Sequence, residues 1–279
     1  EGGFSVHARL ERDAQGWVWF DDPKGLWRAR GDEQELFAPR SVVGRGAMVD
    51  RDGGIWLRTQ KGVAQVMGGL RWRSHGTLEG LPSPTVWRPL RDPDGRLWVP
   101  TEEGLCVAQG SGWKRVIPSR TLGVALDPRG ILWASGSPGG LVHQVDLRTL
   151  AVRTHRVDVL PVGRIVSGFA LDLEGRLWVA DEHEGLARGA WNGSRWTWER
   201  IRVDGTELKD IRNVVVDAEG RVFVAHDRGI CIWASGRWTH LQGVLEALPA
   251  NIAFNGRGEV VVSYLNRPVL SRFRLMEGA

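Results

Sequence analysis

Asp92-Pro-Asp-Gly-Arg-Leu-Trp98 contains a phrase that recurs through the chain: Asp, two variable residues, Gly, one variable residue, an apolar residue and Trp. Four more copies keep both the Asp and the Trp: Asp13 to Trp19, Asp50 to Trp56, Asp127 to Trp133 and Asp172 to Trp178. Two degenerate copies follow, Asp217 to Phe223 and Asn255 to Val261. The glycines of the seven copies recur about every 40 residues, at Gly16, Gly53, Gly95, Gly130, Gly175, Gly220 and Gly258.

A repeat of this length with strand-type sequence predicts a β-propeller with one blade per copy. Apolar runs before the phrase, such as Phe169-Ala-Leu171, predict innermost strands that are buried on both faces. Asp at the first position and Gly at the fourth favour a type I turn, and the Trp is expected to pack between blades. A second Gly, as in Gly104-Leu105, marks another hairpin, and later aromatics such as Trp238 begin a fourth strand.

We therefore predict an all-β fold, a seven-bladed β-propeller with mostly four-stranded antiparallel blades, as one domain over residues 1–279. The last copy supplies three strands, which end near Leu275. The ring closes either with a short strand from Phe4 to Leu10 or with a three-stranded last blade, and closure removes exposed strand edges. Because the first residue is Glu1, we expect a processed form or an excised domain.

Composition limits the classes of partner. The net charge is +4, hydrophobic residues make up 42% and charged residues 25%, which is ordinary for a globular protein. No apolar stretch is long enough to cross a bilayer, so we expect no membrane insertion. No run of five like charges occurs, so we expect no nucleic-acid partner. Cys106 and Cys231 occupy equivalent positions three repeats apart, which predicts two buried free thiols.

The longer phrase from Asp92 to Leu105 resembles the two-component regulator propeller repeat, Asp-x-x-Gly-x-Leu-Trp-x-Gly-Thr-x-x-Gly-Leu. The stretch from Asp50 to Val63 is similar to it, with Thr59 at the Thr position. The resemblance extends along essentially the whole chain. It implies a non-enzymatic ligand- or protein-binding sensor module, as in the extracytoplasmic regions of such regulators, and hence a periplasmic or extracellular location. Many of those sensors carry two propellers, whereas seven repeats make one.

A weaker resemblance is to metal-dependent propeller enzymes, the streptogramin lyases and gluconolactonase-like hydrolases. Those lyases place catalytic His near the start of inner strands. The corresponding stretches here contain no His: Leu122-Gly-Val, Ser167-Gly-Phe, Arg212-Asn-Val and Ala250-Asn-Ile. A metal-dependent lyase or lactonase-like hydrolase remains the alternative, and a protein–protein scaffold without a small ligand is the third interpretation.

A propeller presents one face on which the loops into the innermost strands meet the loops between second and third strands. We expect ligands there, over the central channel. Arginine forks suit carboxylates and phosphates, so we predict binding of a small anionic ligand or a protein partner with an acidic segment. The competing interpretation is that these arginines pair with acidic loops of neighbouring blades. The candidate ligand-binding residues are Arg45, Arg88, Glu102, Arg120, Arg164, Asp181, His183, Arg212, Asn213, His226 and Asn251.

We predict no catalytic residue and no cofactor. The sequence has no Gly-x-Ser-x-Gly elbow, and neither Cys has a predicted His neighbour. The densest polar group, Asp181-Glu-His-Glu184, offers ligand types that suit a divalent ion such as Ca²⁺ or Mg²⁺. The alternative metal candidates are therefore Asp181, His183 and His226. The sequence gives no indication of oligomeric state.

Overall fold

A computed structural model describes most of the chain. The described residues are 11–13, 15–22, 24–39, 47–49, 54–59, 61–66, 72–127, 130–137, 139–161, 166–181, 183–192, 194–241, 248–254, 259–264 and 270–275. They form seven antiparallel sheets, and in each sheet the strands are hydrogen-bonded in their order along the chain. Each sheet is one blade, and its first strand is the innermost.

The first four blades each have four strands. Blade 1 contains β1 (Glu11–Arg12), β2 (Val18–Asp22), β3 (Gly25–Arg30) and β4 (Glu33–Pro39). Blade 2 contains β5 (Ala47–Val49), β6 (Ile55–Thr59), β7 (Gly62–Val66) and β8 (Trp72–Gly76), followed by a 3-10 helix (Thr77–Glu79). Blade 3 contains β9 (Leu90–Arg91), β10 (Leu97–Thr101), β11 (Gly104–Gln109) and β12 (Gly112–Ile117). Blade 4 contains β13 (Val124–Leu126), β14 (Ile131–Ser135), β15 (Leu141–Asp146) and β16 (Val152–Arg156).

The last three blades differ in strand number. Blade 5 contains β17 (Val166–Leu171), β18 (Leu177–Asp181), β19 (Gly185–Trp191), β20 (Trp196–Val203) and a short fifth strand, β21 (Thr206–Glu207). Blade 6 contains β22 (Asn213–Val216), β23 (Val222–His226), β24 (Gly229–Ala234) and β25 (Arg237–His240). Blade 7 contains three strands within the described residues, β26 (Pro249–Phe254), β27 (Glu259–Tyr264) and β28 (Leu270–Arg274).

Seven hydrophobic clusters join the blades into a ring. Each cluster combines side chains of two consecutive blades, and the seventh joins blade 1 to blade 7 by packing Phe20 against Val261. The predicted seven-bladed β-propeller is thus confirmed, and its ends meet through side-chain packing. The stretch from Phe4 to Leu10, predicted as a possible closing strand, lies outside the described residues.

Each well-described Asp-x-x-Gly phrase forms a tight turn between the first and second strands. In blade 3 the Gly95 amide donates to the Asp92 carbonyl oxygen (3.0 Å), and the Asp92 amide donates to the Arg96 carbonyl oxygen (3.0 Å). Gly95 has a φ of +82°, a left-handed conformation that glycine adopts without steric cost. The predicted turn is confirmed, and the positive φ explains why Gly recurs at its fourth position.

In blades 1, 3 and 5 the Asp of the phrase also binds the Trp, a contact that the sequence analysis did not predict. Asp172 Oδ1 accepts the amides of Glu174 (3.1 Å) and Arg176 (2.9 Å). Asp172 Oδ2 accepts Nε of Arg176 (2.7 Å) and the indole Nε1 of Trp178 (2.8 Å). The same indole contact joins Asp13 to Trp19 and Asp92 to Trp98. In blade 4 the indole Nε1 of Trp133 has no hydrogen-bond partner among the described residues. The Trp rings pack between blades as predicted, and Trp98 and Trp178 are completely buried.

Two glycines of the second set, Gly62 and Gly104, permit close approach between the third and fourth strands. An added Cβ at Gly104 would lie 2.1 Å from the carbonyl oxygen of Ile117. Strand β11 therefore starts with a glycine because the backbone of β12 leaves no room for a side chain. Cys106 and Cys231, in the third strands of blades 3 and 6, are buried free thiols as predicted, and burial raises the pKa of both to about 12.

We expect Asp172→Ala to destabilise the fold more than Asp217→Ala. Both carboxylates accept an Arg Nε and turn amides, but only Asp172 also accepts an indole, because blade 6 has Phe223 in place of the Trp. The free energy of unfolding from urea titrations should fall by about 1–3 kcal/mol more for Asp172→Ala, the cost of a buried unsatisfied donor. Equal losses would show that the indole contact contributes nothing measurable.

Gly104→Ala and Gly229→Ala form a matched pair. Both glycines open a third strand with positive φ, +143° and +127°, but an added Cβ at Gly229 meets nothing within 4 Å. Thermal unfolding should show Gly104→Ala to be the more destabilising by roughly 2 kcal/mol, since overpacking against backbone adds to the common conformational strain. Similar losses at both positions would mean that φ alone selects glycine here.

Candidate functional site

Loops of two kinds meet on one face of the ring, which we call the mouth face: those joining second to third strands and those leading into first strands. The Glu102 amide donates to the Thr85 carbonyl oxygen (3.0 Å), and the Asp227 amide lies 3.4 Å from the Lys209 carbonyl oxygen. The Asp-x-x-Gly turns lie on the opposite face, which we call the turn face. The loops that carry the candidate residues are thus in contact, as the sequence analysis expected of this face.

In blades 2, 3, 5 and 6 the last residue of the second strand acts as a cap for the loop that follows. In blades 2 and 3 it is a Thr, whose hydroxyl accepts the amide two residues ahead: Lys61 to Thr59 and Glu103 to Thr101, both 3.2 Å. Asp181 holds the same position in blade 5. Its Oδ1 accepts the amides of His183 and Glu184, both at 3.0 Å. Burial raises the pKa of Asp181, and the two amides oppose that shift.

His226 holds the capping position in blade 6. It is completely buried, and its Nδ1 lies 3.3 Å from the Arg228 amide and 3.2 Å from Asp227 Oδ1. Its Nε2 is buried without a hydrogen-bond partner among the described residues. Burial lowers the pKa of His226, and the adjacent Asp227 carboxylate partly offsets that shift. The imidazole is therefore favoured in its neutral form.

The described arginines of the mouth face have different surroundings. Arg120 Nε lies 3.0 Å from Glu102 Oε2, so this pair fits the interpretation of charge pairing between blades. Arg88 lies half-buried just before β9. Arg212 lies directly before β22, where its amide donates to the Ala225 carbonyl oxygen (2.9 Å). The Arg212 side chain is partly exposed, and its Nη1 is buried with no hydrogen-bond partner in the described part of the chain.

The two asparagines bond to the scaffold at the innermost strands. Asn213 Oδ1 lies 3.4 Å from the amide of Ile252, which connects the first strands of blades 6 and 7. Asn251 Nδ2 donates to Ser263 Oγ in the neighbouring strand (3.1 Å). Both side chains are buried. The Asn213 contact therefore joins two blades, whereas the Asn251 contact joins two strands of blade 7.

The loops of blades 5 and 6 are held together by charged contacts. His183 Nδ1 lies 3.6 Å from Asp210 Oδ1, and both side chains are about half exposed. Arg200 Nη2 donates to the Glu184 carbonyl oxygen (2.7 Å) and to Glu207 Oε2 (2.9 Å). Asp210 and Glu207 were not predicted as site residues. The sequence signal that could have predicted them is their acidic side chains in the stretch that leads into blade 6.

The structure divides the predicted residues into separate sectors. Asp181, His183, Arg212, Asn213 and His226 belong to blades 5 and 6 and the loops between them, whereas Arg88, Glu102 and Arg120 belong to the loops around blade 3. Asn251 lies in blade 7, and Arg45 and Arg164 fall outside the described residues. In the described ranges, no group of three or more His, Cys, Asp or Glu side chains could hold a metal ion.

Comparisons with known proteins place the chain by its fold. No family model and no curated protein matches it. The extracellular domain of a putative hybrid two-component system from B. thetaiotaomicron matches with a TM-score of 0.76 and 16% identity, over 98% of this chain and 39% of that chain. A streptogramin B lyase matches with a TM-score of 0.73 and 12% identity, over 93% and 91%. YCF48 bound to D1 peptide matches with a TM-score of 0.72 and 16% identity, over 99% and 94%.

At these identities the likeness concerns the fold. The proteins of similar fold nevertheless include the class of regulator that the repeat phrase resembles. The chain spans less than half the length of that regulator's structure. In the portion of the chain that the structure describes, no helix is long and apolar enough to cross a membrane.

We expect His226→Thr to weaken the pH dependence of stability. Because the folded-state pKa of His226 lies below its ordinary value of 6.5, the folded protein binds fewer protons than the unfolded chain between those two values. Stability is therefore undiminished above pH 6.5 and falls as the pH drops below it. Thr is the capping residue of blades 2 and 3, so the variant keeps the loop cap.

The measurement is urea unfolding at about pH 7.5 and about pH 5.5, where histidine changes its charge. His226→Thr should lose less stability than the parent chain between these conditions. Some dependence should persist, since burial also lowers the pKa of His143 and His155. An unchanged pH dependence in the variant would contradict the assignment.

Proposed function

We propose that the chain is an extracytoplasmic sensor or interaction module that binds a carboxylate-bearing ligand, either a small anion or an acidic peptide segment, at the mouth face between blades 5 and 6. The supporting observation is the Arg212 guanidinium. It lies among the loops of this sector with a buried Nη1 that no described residue satisfies. A buried donor without a partner costs about 1–3 kcal/mol, and a carboxylate that reached it would offset that cost.

The contrast with the turn face supports this choice of residue. There, Arg96, Arg176 and Arg221 each meet two carboxylates, one within the turn and one beside it. Those arginines have a structural role within their own turns. On the mouth face, Arg120 pairs with Glu102, as the competing interpretation predicts. Arg212 has no such ion pair among the described residues, so its charge is available to a ligand.

The comparisons support the proposal at the level of the protein class. An extracellular domain of a two-component system and a propeller bound to a peptide both have folds similar to this chain. A binding module in a signalling protein accounts for the repeat phrase, and the peptide bound to YCF48 is consistent with an acidic peptide segment as the ligand.

The test compares Arg212→Gln with Arg120→Gln, which removes the same charge from an arginine already paired with Glu102. The probes are citrate and a Glu-rich hexapeptide, and binding is measured by calorimetry at low salt. Arg212→Gln should weaken binding by about tenfold or more, the scale of a charge-assisted hydrogen bond, and Arg120→Gln should have little effect.

Equal losses in the two variants would indicate a general response to net charge and would contradict a site at Arg212. Absence of saturable binding by either probe would contradict the anionic ligand. Turnover of a lactone or lactam that required added Mg²⁺ or Ca²⁺ would replace the proposal with the alternative, a propeller hydrolase or lyase.

A further inference from the structure

A cleft of about 310 Å³ lies between blades 2 and 3 and is lined on the turn face by Asp94, Gly95 and Arg96. Three aromatic side chains contribute to its lining, Trp56, His75 and Trp113. The cleft includes the turn between the first two strands of blade 3, so it lies away from the loops of the mouth face. It is therefore separate from the proposed site around Arg212.

The cleft exists because blade 3 lacks a ring that blade 6 has. In blade 6 the third strand places Trp233 opposite Trp238, with ring centroids 5.3 Å apart. Both of those rings pack beside Trp178 of blade 5, at 6.3 Å and 6.0 Å. Blade 3 has Trp113 in the fourth strand at the matching register, but its partner across the strands is Ala108. A methyl group therefore stands where the other interface has an indole.

The remaining rings line the open space at several angles. His75 lies 5.9 Å from Trp56 with its plane tilted by 32°, and 5.7 Å from Trp113 in an edge-to-face arrangement of 83°. Aromatic rings gain most from offset-stacked or edge-to-face neighbours at these separations. A planar ring entering the cleft would find both kinds of neighbour.

Charge in the cleft favours an anion. Arg91 lies over the Trp56 ring, with Cζ 5.6 Å from the centroid, and its Nη1 donates to the Gly95 carbonyl oxygen (2.5 Å). Asp94 at the rim is already countered by Arg96 Nη2 at 3.2 Å. Arg91 therefore presents a guanidinium to the cleft that is oriented by its contacts with Trp56 and Gly95, and the planar fork of an arginine suits a carboxylate.

We propose that this cleft binds a small ligand composed of one aromatic ring and a carboxylate. The ring packs among Trp56, His75 and Trp113, and the carboxylate meets the guanidinium of Arg91. The cleft volume lies at the lower end of the range for ligand pockets, about 300–1,000 Å³, which limits the ligand to about one ring. The site is independent of the proposed function at the mouth face.

The experiment titrates benzoate into the whole chain and measures affinity by calorimetry, with saturation-transfer NMR to confirm contact with the ring. Ala108→Trp introduces the residue that blade 6 carries at this register, so it should fill the cleft while the blade keeps its packing. The variant should bind benzoate at least about tenfold more weakly than the parent chain. Arg120→Gln is the matched control, because it removes one positive charge at a residue outside the cleft, and it should leave benzoate binding unchanged.

A second variant tests the charge without adding volume. In the parent chain benzyl alcohol, which has the ring but no carboxylate, should bind at least about tenfold more weakly than benzoate. Arg91→Gln should abolish that preference, and this outcome does not depend on whether Ala108→Trp folds well.

Three results would overturn the proposal. The first is the absence of saturable benzoate binding, and the second is benzoate affinity unchanged in both Ala108→Trp and Arg91→Gln. The third is equal affinity of the parent chain for benzoate, benzyl alcohol and glucose, which would show that neither the ring nor the carboxylate is recognised. A failure of citrate binding at Arg212 would have no bearing on these outcomes.

Discussion

A buried carboxylate in the repeat turn of blades 1, 3, 4, 5 and 6 is the constraint on which the ring depends. Asp92 is completely buried, and a buried charge is costly unless it is fully hydrogen-bonded. Its Oδ1 accepts the Arg96 amide, and its Oδ2 accepts both Nε of Arg96 and the indole of Trp98. The turn, the charged pair and the ring are therefore one unit. This coupling explains why Asp, Gly and Trp recur together and why the loss of any one of them should weaken the others.

The fixed indole then determines how blades pack. Once its Nε1 is held at the turn, the Trp ring lies across the gap to the next blade and receives an aromatic from that blade's fourth strand. Trp178 meets Trp238 at 87°. Trp133 meets Trp196 at the same angle, although its Nε1 has no hydrogen-bond partner among the described residues. Among the described residues one hydrophobic cluster occupies each blade interface, and a ring of such clusters has no need of a separate core. Local turn chemistry thus leads to closure of the whole fold.

The fold could be predicted because the sequence itself contains two signals. The repeat phrase recurs once per blade, and strand-type segments lie on either side of each copy. The site was less predictable, since each repeat position has a structural role that only the three-dimensional neighbours reveal. Asp181 and His226 attracted attention as polar residues, yet they stand where Thr59 and Thr101 cap a loop. Alignment of the seven phrases beyond the Trp contains that signal. The sequence does not distinguish Arg120 from Arg212. Whether either arginine has an ion-pair partner depends on which loops fold next to it.

Departures from the repeat are where this architecture can acquire function without losing stability. The contacts within a turn are local, so a blade keeps its shape when an outer residue changes. Ala108 replaces the ring that Trp233 supplies in blade 6, and the result is an open cleft beside an intact turn. His226 replaces a capping Thr and introduces a titratable group, while the loop still has its cap. The first substitution removes a contact at one blade interface and the second alters a loop cap, while the remaining interfaces still hold the ring together. A closed ring of quasi-independent blades therefore tolerates binding sites at several interfaces at once, on either face.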